Sequence, residues 1–279
     1  MEKNLKKYFP IFVLPTLTAF FIAFLIPFFI GIFLSFCDFK VITNVEFVGL
    51  KNFIAAFSNR DFLNALWFTV RFTLVSVISV NFFAFLLAML LTKKRRGNNL
   101  FRTVFFMPNL IGGIVLGYLW QMILNGILSP WQQTLSSNGD YGFWGLVLLT
   151  NWQLVGYMML IYIAAIQNIP DHLLEAARVD GASPGQILKN VTLPMVTPAF
   201  TICFFLTLTN AFKMFDQNLA LTAGQPARET TMLALDIFNT FYSRIGYAGV
   251  GQAKAVVFFI MVALIAGLQL WFSRRREAV

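Results

Sequence analysis

Apolar residues in this chain fall into six long runs, and no charged residue lies within any of them. The runs cover residues 10–36, 72–91, 104–123, 143–166, 191–212 and 255–272. Each run can form a helix that crosses a bilayer, which takes about 20 residues. Because an open backbone in hydrocarbon leaves its polar groups unpaired, each run is predicted to be a membrane-spanning helix. The predicted fold class is an all-α membrane protein with six transmembrane helices, in one domain over residues 1–279.

The segment between the fifth and sixth runs, residues 213–254, contains a weaker helical pattern. From Thr230 to Tyr242, apolar residues recur at the spacing of one helix face, which predicts a short surface helix. Gly224-Gln225-Pro226 before this pattern indicates a turn.

Basic residues are concentrated in one set of termini and loops. That set comprises Lys3, Lys6, Lys7, Lys93, Lys94, Arg95, Arg96, Arg102, Arg178, Lys189, Arg274, Arg275 and Arg276. The other set holds fewer basic residues over longer loops. The positive-inside rule then places both termini, 93–103 and 167–190 in the cytoplasm. Residues 37–71, 124–142 and 213–254 are expected to face outward.

Composition agrees with a membrane protein and excludes several other classes. Apolar residues make up 58% of the chain and charged residues only 12%, against about 25% charged in a soluble domain. The net charge of +9 comes from residues that flank the apolar runs, so a lipid bilayer is the expected partner and nucleic acid is not. With one histidine, His172, and two cysteines, we expect no metal site and no catalytic residues.

The loop between the fourth and fifth runs, residues 167–194, carries the most information. Pro170 suits the first position of a helix, and Asp171 and Glu175 complement its positive end. Gly181 is placed to end that helix in a left-handed conformation. Ser183 and Gln186 then have the spacing of a capping box, with Pro184 between them, which predicts a second helix.

Two interpretations of this loop follow from its residues alone. A small, partly apolar helix surface with acidic edges fits a groove on a soluble partner. Alternatively, the helix rests on lipid headgroups, although an anionic leaflet attracts basic segments and this loop carries Asp171, Glu175 and Asp180.

Three short motifs resemble a known family at its own spacing. Glu175-Ala176-Ala177, Asp180-Gly181-Ala182 and Leu193-Pro194 resemble the EAA loop of binding-protein-dependent ABC importer permeases. The resemblance covers nearly the whole chain and includes Leu221-Thr222-Ala223-Gly224-Gln225-Pro226, which is similar to the carbohydrate-uptake branch, the maltose and multiple-sugar types. Gln225 departs from the glycine usual in that branch.

The resemblance implies a type I importer fold and a coupling role for the loop. Glu175 would pair with a basic residue of an ATPase subunit, Ala176 and Ala177 would allow close approach, and Asp180 and Gly181 would form the turn. The implied partners are a second homologous permease, two ATP-binding subunits and an extracellular sugar-binding protein. ATP and Mg²⁺ would be bound by those ATPase subunits, and this chain has no GxxxxGK[ST] phosphate loop of its own.

A sugar pathway needs amides and hydroxyls for the solute's hydroxyls and aromatic faces for its rings. The resemblance places ligand contacts near 153–157 and 207–214. The candidate pathway residues are Tyr157, Asn210, Gln153, Trp152, Thr207 and Met214.

Three rival functions remain open at this point. An importer of another solute, such as glycerol phosphate, would favour a basic residue facing the cavity, and no Lys or Arg lies within the predicted spans. A secondary carrier that works without ATP would favour an acid or histidine inside the membrane, and the acids here lie in loops, termini or span edges. A structural scaffold would leave the 167–194 loop unexplained.

Overall fold

The computed structural model describes residues 9, 13–41, 44–93 and 96–277 of the chain. In chain order the elements are α1 (Val13–Ser35), β1 (Cys37–Val41), β2 (Asn44–Phe47), α2 (Lys51–Ser58), α3 (Arg60–Thr92), α4 (Asn98–Phe106), α5 (Gly113–Leu128), α6 (Gly139–Gln167), α7 (Asp171–Val179), α8 (Pro184–Phe212), α9 (Asp216–Leu221), α10 (Leu233–Ser243) and α11 (Ala248–Glu277). Six of them, α1, α3, α5, α6, α8 and α11, are long and apolar enough to cross a membrane. The predicted number of membrane-spanning helices, six, is therefore confirmed.

Some predicted features lie outside the described residues. The start of the first predicted span is one of them. Five basic residues that contribute to the predicted orientation also lie outside the described residues, namely Lys3, Lys6, Lys7, Lys94 and Arg95. The two-stranded antiparallel ribbon β1–β2 and the short helix α9 were not predicted.

The third span begins later than its apolar run predicts. The run 104–123 is broken, because α4 ends at Phe106 and a tight 3-10 turn, Met107–Leu110, follows it. Pro108 has no backbone N–H to donate, and Ile111 and Gly112 adopt extended conformations. The crossing helix α5 therefore starts at Gly113, and the prediction of one continuous helix here was wrong.

The sixth span begins earlier than predicted and contains a buried charge. Lys254 lies inside α11, although the sequence pattern assigned it to the preceding loop. Its side chain is completely buried, and its Nζ donates to Asp236 Oδ2 at 2.6 Å and to Thr240 Oγ1 at 2.9 Å. The expectation that no basic residue lies within a span was therefore wrong. An oppositely charged partner reduces the cost of such a charge at membrane depth.

The helix predicted within 230–242 exists as α10, and its Phe238 and Tyr242 are exposed. Met232, Leu233 and Leu235 are buried, and so are the polar residues Asp236 and Thr240. At 100° per residue Asp236 and Thr240 lie on the same face as Met232 and Leu233, so the ion pair with Lys254 is part of the one buried face.

The chain packs as two compact units. One comprises Met1–Phe62 and Asp236–Ile260, and the other comprises Leu63–Leu235 and Met261–Val279. The single-domain organisation over 1–279 stays a prediction.

The larger unit is organised around α6, whose most apolar window is 67% buried. Tyr162 on α6 is fully buried and donates to Asn81 Oδ1 on α3 at 2.8 Å. Asn81 in turn donates to Thr207 Oγ1 on α8 at 3.3 Å. A hydrogen-bonded chain of Tyr162, Asn81 and Thr207 therefore links three spans through the core.

A glycine allows α6 to approach the end of α4 closely. A Cβ added at Gly156 would lie only 1.8 Å from the backbone oxygen of Phe105, which no side chain permits. This contact fixes the end of α4 and the turn after it against α6, close to the cavity described below.

Candidate functional site

The predicted coupling loop forms a short helix that ends in a sharp turn. Pro170 is the N-cap of α7 rather than its first helical residue, which corrects that detail of the prediction. At the other end, Gly181 has φ +80° and donates to Arg178 O at 3.1 Å, and Ala182 donates to Ala177 O at 3.0 Å. These bonds are those of a Schellman motif, in which glycine adopts the left-handed conformation without steric cost.

The second helix of the loop is the beginning of the fifth span itself. Ser183 caps it through the predicted capping box, with Ser183 N donating to Gln186 Oε1 at 2.7 Å and Gln186 N donating to Ser183 Oγ. The helix continues through a π-helical turn, Leu188–Thr192, and on to Phe212. The loop therefore has one free helix, α7, and not two.

The face of α7 that points away from the protein is small and carries one acid. Leu174 and Ala177 are half-buried, and Leu174 packs against the core of the larger unit. Glu175 and Ala176 are exposed on the opposite side, beside Val179, which is 87% exposed. Within the described part of the chain Glu175 has no ion-pair partner. The Glu175 carboxylate and the Val179 side chain are therefore both open to solvent on this side of α7.

A polar cavity of about 290 Å³ lies at the far end of α8 from this loop. Its lining residues are Asn109, Gln153, Leu154, Asn210, Lys213, Met214, Phe215, Asp216 and Gln217. Gln217 Nε2 donates to Gln153 Oε1 at 2.9 Å, which holds the start of α9 against α6. Since α8 has 29 residues, about 43 Å of helix separates the coupling loop from this cavity.

Three of the six predicted pathway residues line this cavity, namely Gln153, Asn210 and Met214. The other three lie elsewhere. The Thr207 hydroxyl is buried in the chain of bonds with Asn81, and Trp152 packs edge-on to Trp120 with ring centroids 5.6 Å apart. Tyr157 is half-buried, with its ring 6.4 Å from that of Phe106.

Four polar residues of the cavity are not among the six named candidates, although Lys213 falls within the predicted stretch 207–214. Asn109 lies in the turn that breaks the third apolar run, and Lys213, Asp216 and Gln217 follow the end of α8. The close approach of α9 to α5 brings these residues to the cavity, and a Cβ at Gly113 on α5 would lie only 2.8 Å from Asp216 Cβ on α9. Gly113 and Gly117, one helical turn apart in the third apolar run, are the sequence trace of that approach, since a Cβ at Gly117 would lie 2.6 Å from Ala220 Cβ.

Known proteins resemble this chain over almost its whole length. The probable starch degradation products transport system permease protein AmyD of Thermoanaerobacterium thermosulfurigenes is 43% identical over 275 residues, which cover 96% of this chain and 94% of that protein. The sn-glycerol-3-phosphate transport system permease protein UgpA of Agrobacterium fabrum is 29% identical, over 83% of this chain and 82% of that protein.

A solved structure shows the same fold. A chain in the crystal structure of a bacterial ABC transporter involved in the import of the acidic polysaccharide alginate has a TM-score of 0.83, with 98% of each chain covered and 22% sequence identity. The predicted fold class, a six-helix membrane domain of the type I ABC importer, is therefore confirmed.

The sequence also matches the model of a protein family. The model for binding-protein-dependent transport system inner membrane components matches residues 81–278, which include the loop 167–194 and the whole cavity lining. This chain therefore belongs to the family of binding-protein-dependent transport system inner membrane components.

Proposed function

We propose that this chain is the membrane-spanning permease subunit of an ATP-driven, binding-protein-dependent sugar importer, with oligosaccharides as its solutes. The relative at 43% identity is named for starch degradation products, which supports this solute class. The chain itself would carry out no covalent chemistry, since ATP and Mg²⁺ would be bound by partner ATPase subunits. A second homologous permease and an extracellular binding protein would complete the assembly.

The cavity lining is the observation that carries the sugar assignment. Four amides line it, those of Asn109, Gln153, Asn210 and Gln217. Each amide offers two donors and an acceptor, which match the hydroxyl groups of a carbohydrate that both donate and accept. Lys213 and Asp216 bring opposite charges to the same wall, so that the lining as a whole suits an uncharged solute.

An importer of glycerol phosphate is the second candidate, and one observation favours it. Lys213 lines the cavity, although the sequence pattern predicted no basic residue there. A phosphate ester would use such a cation, and a glycerol-3-phosphate permease is among the relatives. Against this candidate, Asp216 on the same wall would repel the phosphate.

The geometry of α8 supports a mechanism for coupling. One helix begins at the Ser183 cap beside α7 and ends at Phe212, between the cavity residues Asn210 and Lys213, with the π-helical turn Leu188–Thr192 and Pro198 along its length. If an ATPase subunit holds α7 and moves as nucleotide binds, the displacement reaches the cavity through a single rigid element. A secondary carrier would have no use for the exposed face of α7.

The experiment that tests this function is co-purification of the complete assembly from native membranes, with ATPase and uptake assays. Wild-type protein is expected to bring an ATP-binding subunit with it and to take up a malto-oligosaccharide only with ATP. The Glu175→Arg variant is expected to purify without the ATPase subunit, or with a subunit whose ATP hydrolysis it no longer stimulates. The reason is that removing one partner of a buried ion pair at an interface costs about 2–5 kcal/mol of binding free energy.

Two controls make this result specific. Glu46→Arg makes the same charge reversal at an exposed site on β2, so it should leave both activities unchanged. Glycerol phosphate offered in place of the sugar separates the two candidate solutes. Wild-type protein that purifies alone and transports solute without ATP would contradict the proposal.

A further inference from the structure

Helix α2 presents three different faces. Asn52 and Ala56 are buried against the protein, at 5% and 0% exposure. A second face carries Leu50, Ile54 and Phe57, which are 62%, 66% and 50% exposed. At 100° per residue these three side chains form one continuous apolar row, nearly opposite the buried face.

The third face of α2 is small and polar. Lys51, Ala55 and Ser58 are all exposed and share the side of the helix next to the apolar row. A helix in contact with protein, an apolar phase and water at once has this arrangement of faces.

Contacts with the ends of two spans fix the position of α2 along the membrane normal. Asn52 Nδ2 donates to Ser35 O, at the last residue of α1, at 3.1 Å and to Cys37 O at 2.8 Å. Gly249, at the start of α11, approaches the same groups so closely that a Cβ there would lie 2.3 Å from Cys37 O. Helix α2 therefore lies at the level where α1 ends and α11 begins.

We propose that α2 is an interfacial anchor whose apolar row enters the lipid at the end of α1. The occupant of this row is lipid, because α1 presents a lipid-compatible surface up to the same level. Phe29 and Phe33, near the end of α1, are 62% and 56% exposed. An interfacial helix buries its apolar face about 5–10 Å into the boundary between headgroups and acyl chains, with polar residues toward water.

This anchor would stabilise the outer ends of α1 and α11 by holding them at a fixed depth. The hydrogen bonds of Asn52 connect α2 directly to the end of α1, so a shift of α1 along the membrane normal would pull the apolar row out of the lipid. The proposal concerns membrane position alone and does not depend on which solute is transported.

Nitroxide labels on two adjacent residues test this inference. Ile54→Cys places a label in the apolar row and Ala55→Cys places one on the polar face, and both sites are exposed. Phe57→Cys gives a second position in the row. Because Cys37 and Cys203 are buried, the unsubstituted protein, labelled in parallel, measures the background. Collisions with oxygen and with a water-soluble nickel chelate are measured for the complete importer in lipid nanodiscs.

The expected result is that labels at 54 and 57 collide with oxygen far more than with nickel, whereas the label at 55 shows the reverse preference. Low collision rates with both reagents at 54 and 57 would show that another protein chain covers the row, and would overturn the proposal. High nickel accessibility at all three positions would place α2 in water and would overturn it equally.

Discussion

Two glutamines from different helices meet on the cavity wall, Gln153 on α6 and Gln217 on α9. Their hydrogen bond leaves further donors and acceptors on each amide for a solute. The pair both shapes the wall and offers binding groups, so its contribution should appear in transport and not in the ATPase reaction.

Gln217→Ala is therefore expected to slow uptake about fivefold at saturating binding protein, because one hydrogen bond contributes about 1 kcal/mol and 1.4 kcal/mol is a factor of ten. Basal ATP hydrolysis should stay unchanged. Uptake into proteoliposomes and phosphate release from the same preparation measure the two effects.

Gln121→Ala is the matched control for this change. The Gln121 amide donates to Leu221 O at 3.0 Å and is not one of the cavity-lining residues. Equal losses of uptake in both variants would indicate a general packing defect and would remove Gln217 from the pathway.

The candidate site was only partly predictable because its residues come from two kinds of position. Gln153 and Asn210 lie within apolar runs, where an amide is conspicuous, and both were predicted. Asn109 also lies within an apolar run, but in a turn that the sequence pattern did not predict, and Asp216 lies in the short helix α9, where polar residues are common. Thr207 was predicted to contact the solute but does not line the cavity. A hydroxyl within a span can equally form a hydrogen bond with another helix, as Thr207 does here with Asn81.

Among the elements, α10 and α11 are joined by the ion pair of Asp236 and Lys254. The Lys254 ammonium also lies 5.2 Å from the centroid of the Phe62 ring and bonds Thr240. With both partners present, the charges and donors are satisfied. With one removed, the other is left buried and unpaired.

Asp236→Leu alone is expected to destabilise the protein by about 3–5 kcal/mol, since it leaves an uncompensated charge in the interior. The double variant Asp236→Leu with Lys254→Met should recover most of the lost stability, because an apolar pair of similar volume replaces a paired charge at little cost. Thermal unfolding of the purified protein in detergent measures both.

A double variant no more stable than Asp236→Leu would contradict this account and would point to a role for Lys254 beyond the pair. Arg244→Gln provides the control, because it removes the ion pair with Asp61 at 2.8 Å, whose side chains are 29% and 38% exposed. Partly exposed pairs contribute about 0–1 kcal/mol, so this change should have little effect.

Element boundaries were predictable where local chemistry determines them. The Ser183–Gln186 capping box and the left-handed Gly181 appear as predicted, because both depend on neighbouring residues alone. The break between α4 and α5 was not predicted, because apolar residues continue through it. That break depends on tertiary contact, in which the backbone of Phe105 packs against Gly156.

At the scale of the whole molecule, α8 connects the two candidate sites. It begins beside α7 and ends at the cavity, and the π-helical turn Leu188–Thr192 lies close to its coupling end. Irregular turns of this kind often occur at functional positions in helices. A movement of α7 would then reach the polar cavity through α8. This mechanism requires the exposed surface of α7 and the cavity to face opposite sides of the membrane.

The predicted orientation makes that requirement measurable with single cysteines at two highly exposed positions. Val179 on α7 is 87% exposed and Ile245, between α10 and α11, is 93% exposed, while both native cysteines are buried. A membrane-impermeant maleimide should label Val179→Cys only in inside-out vesicles and Ile245→Cys only in right-side-out cells, because the basic residues place α7 in the cytoplasm. Addition of the ATPase subunit should then protect position 179 and leave 245 reactive. Labelling of both positions from the same side of the membrane would refute the predicted orientation. Labelling from opposite sides, with no protection of position 179 by the ATPase subunit, would refute docking on α7 but leave the orientation standing.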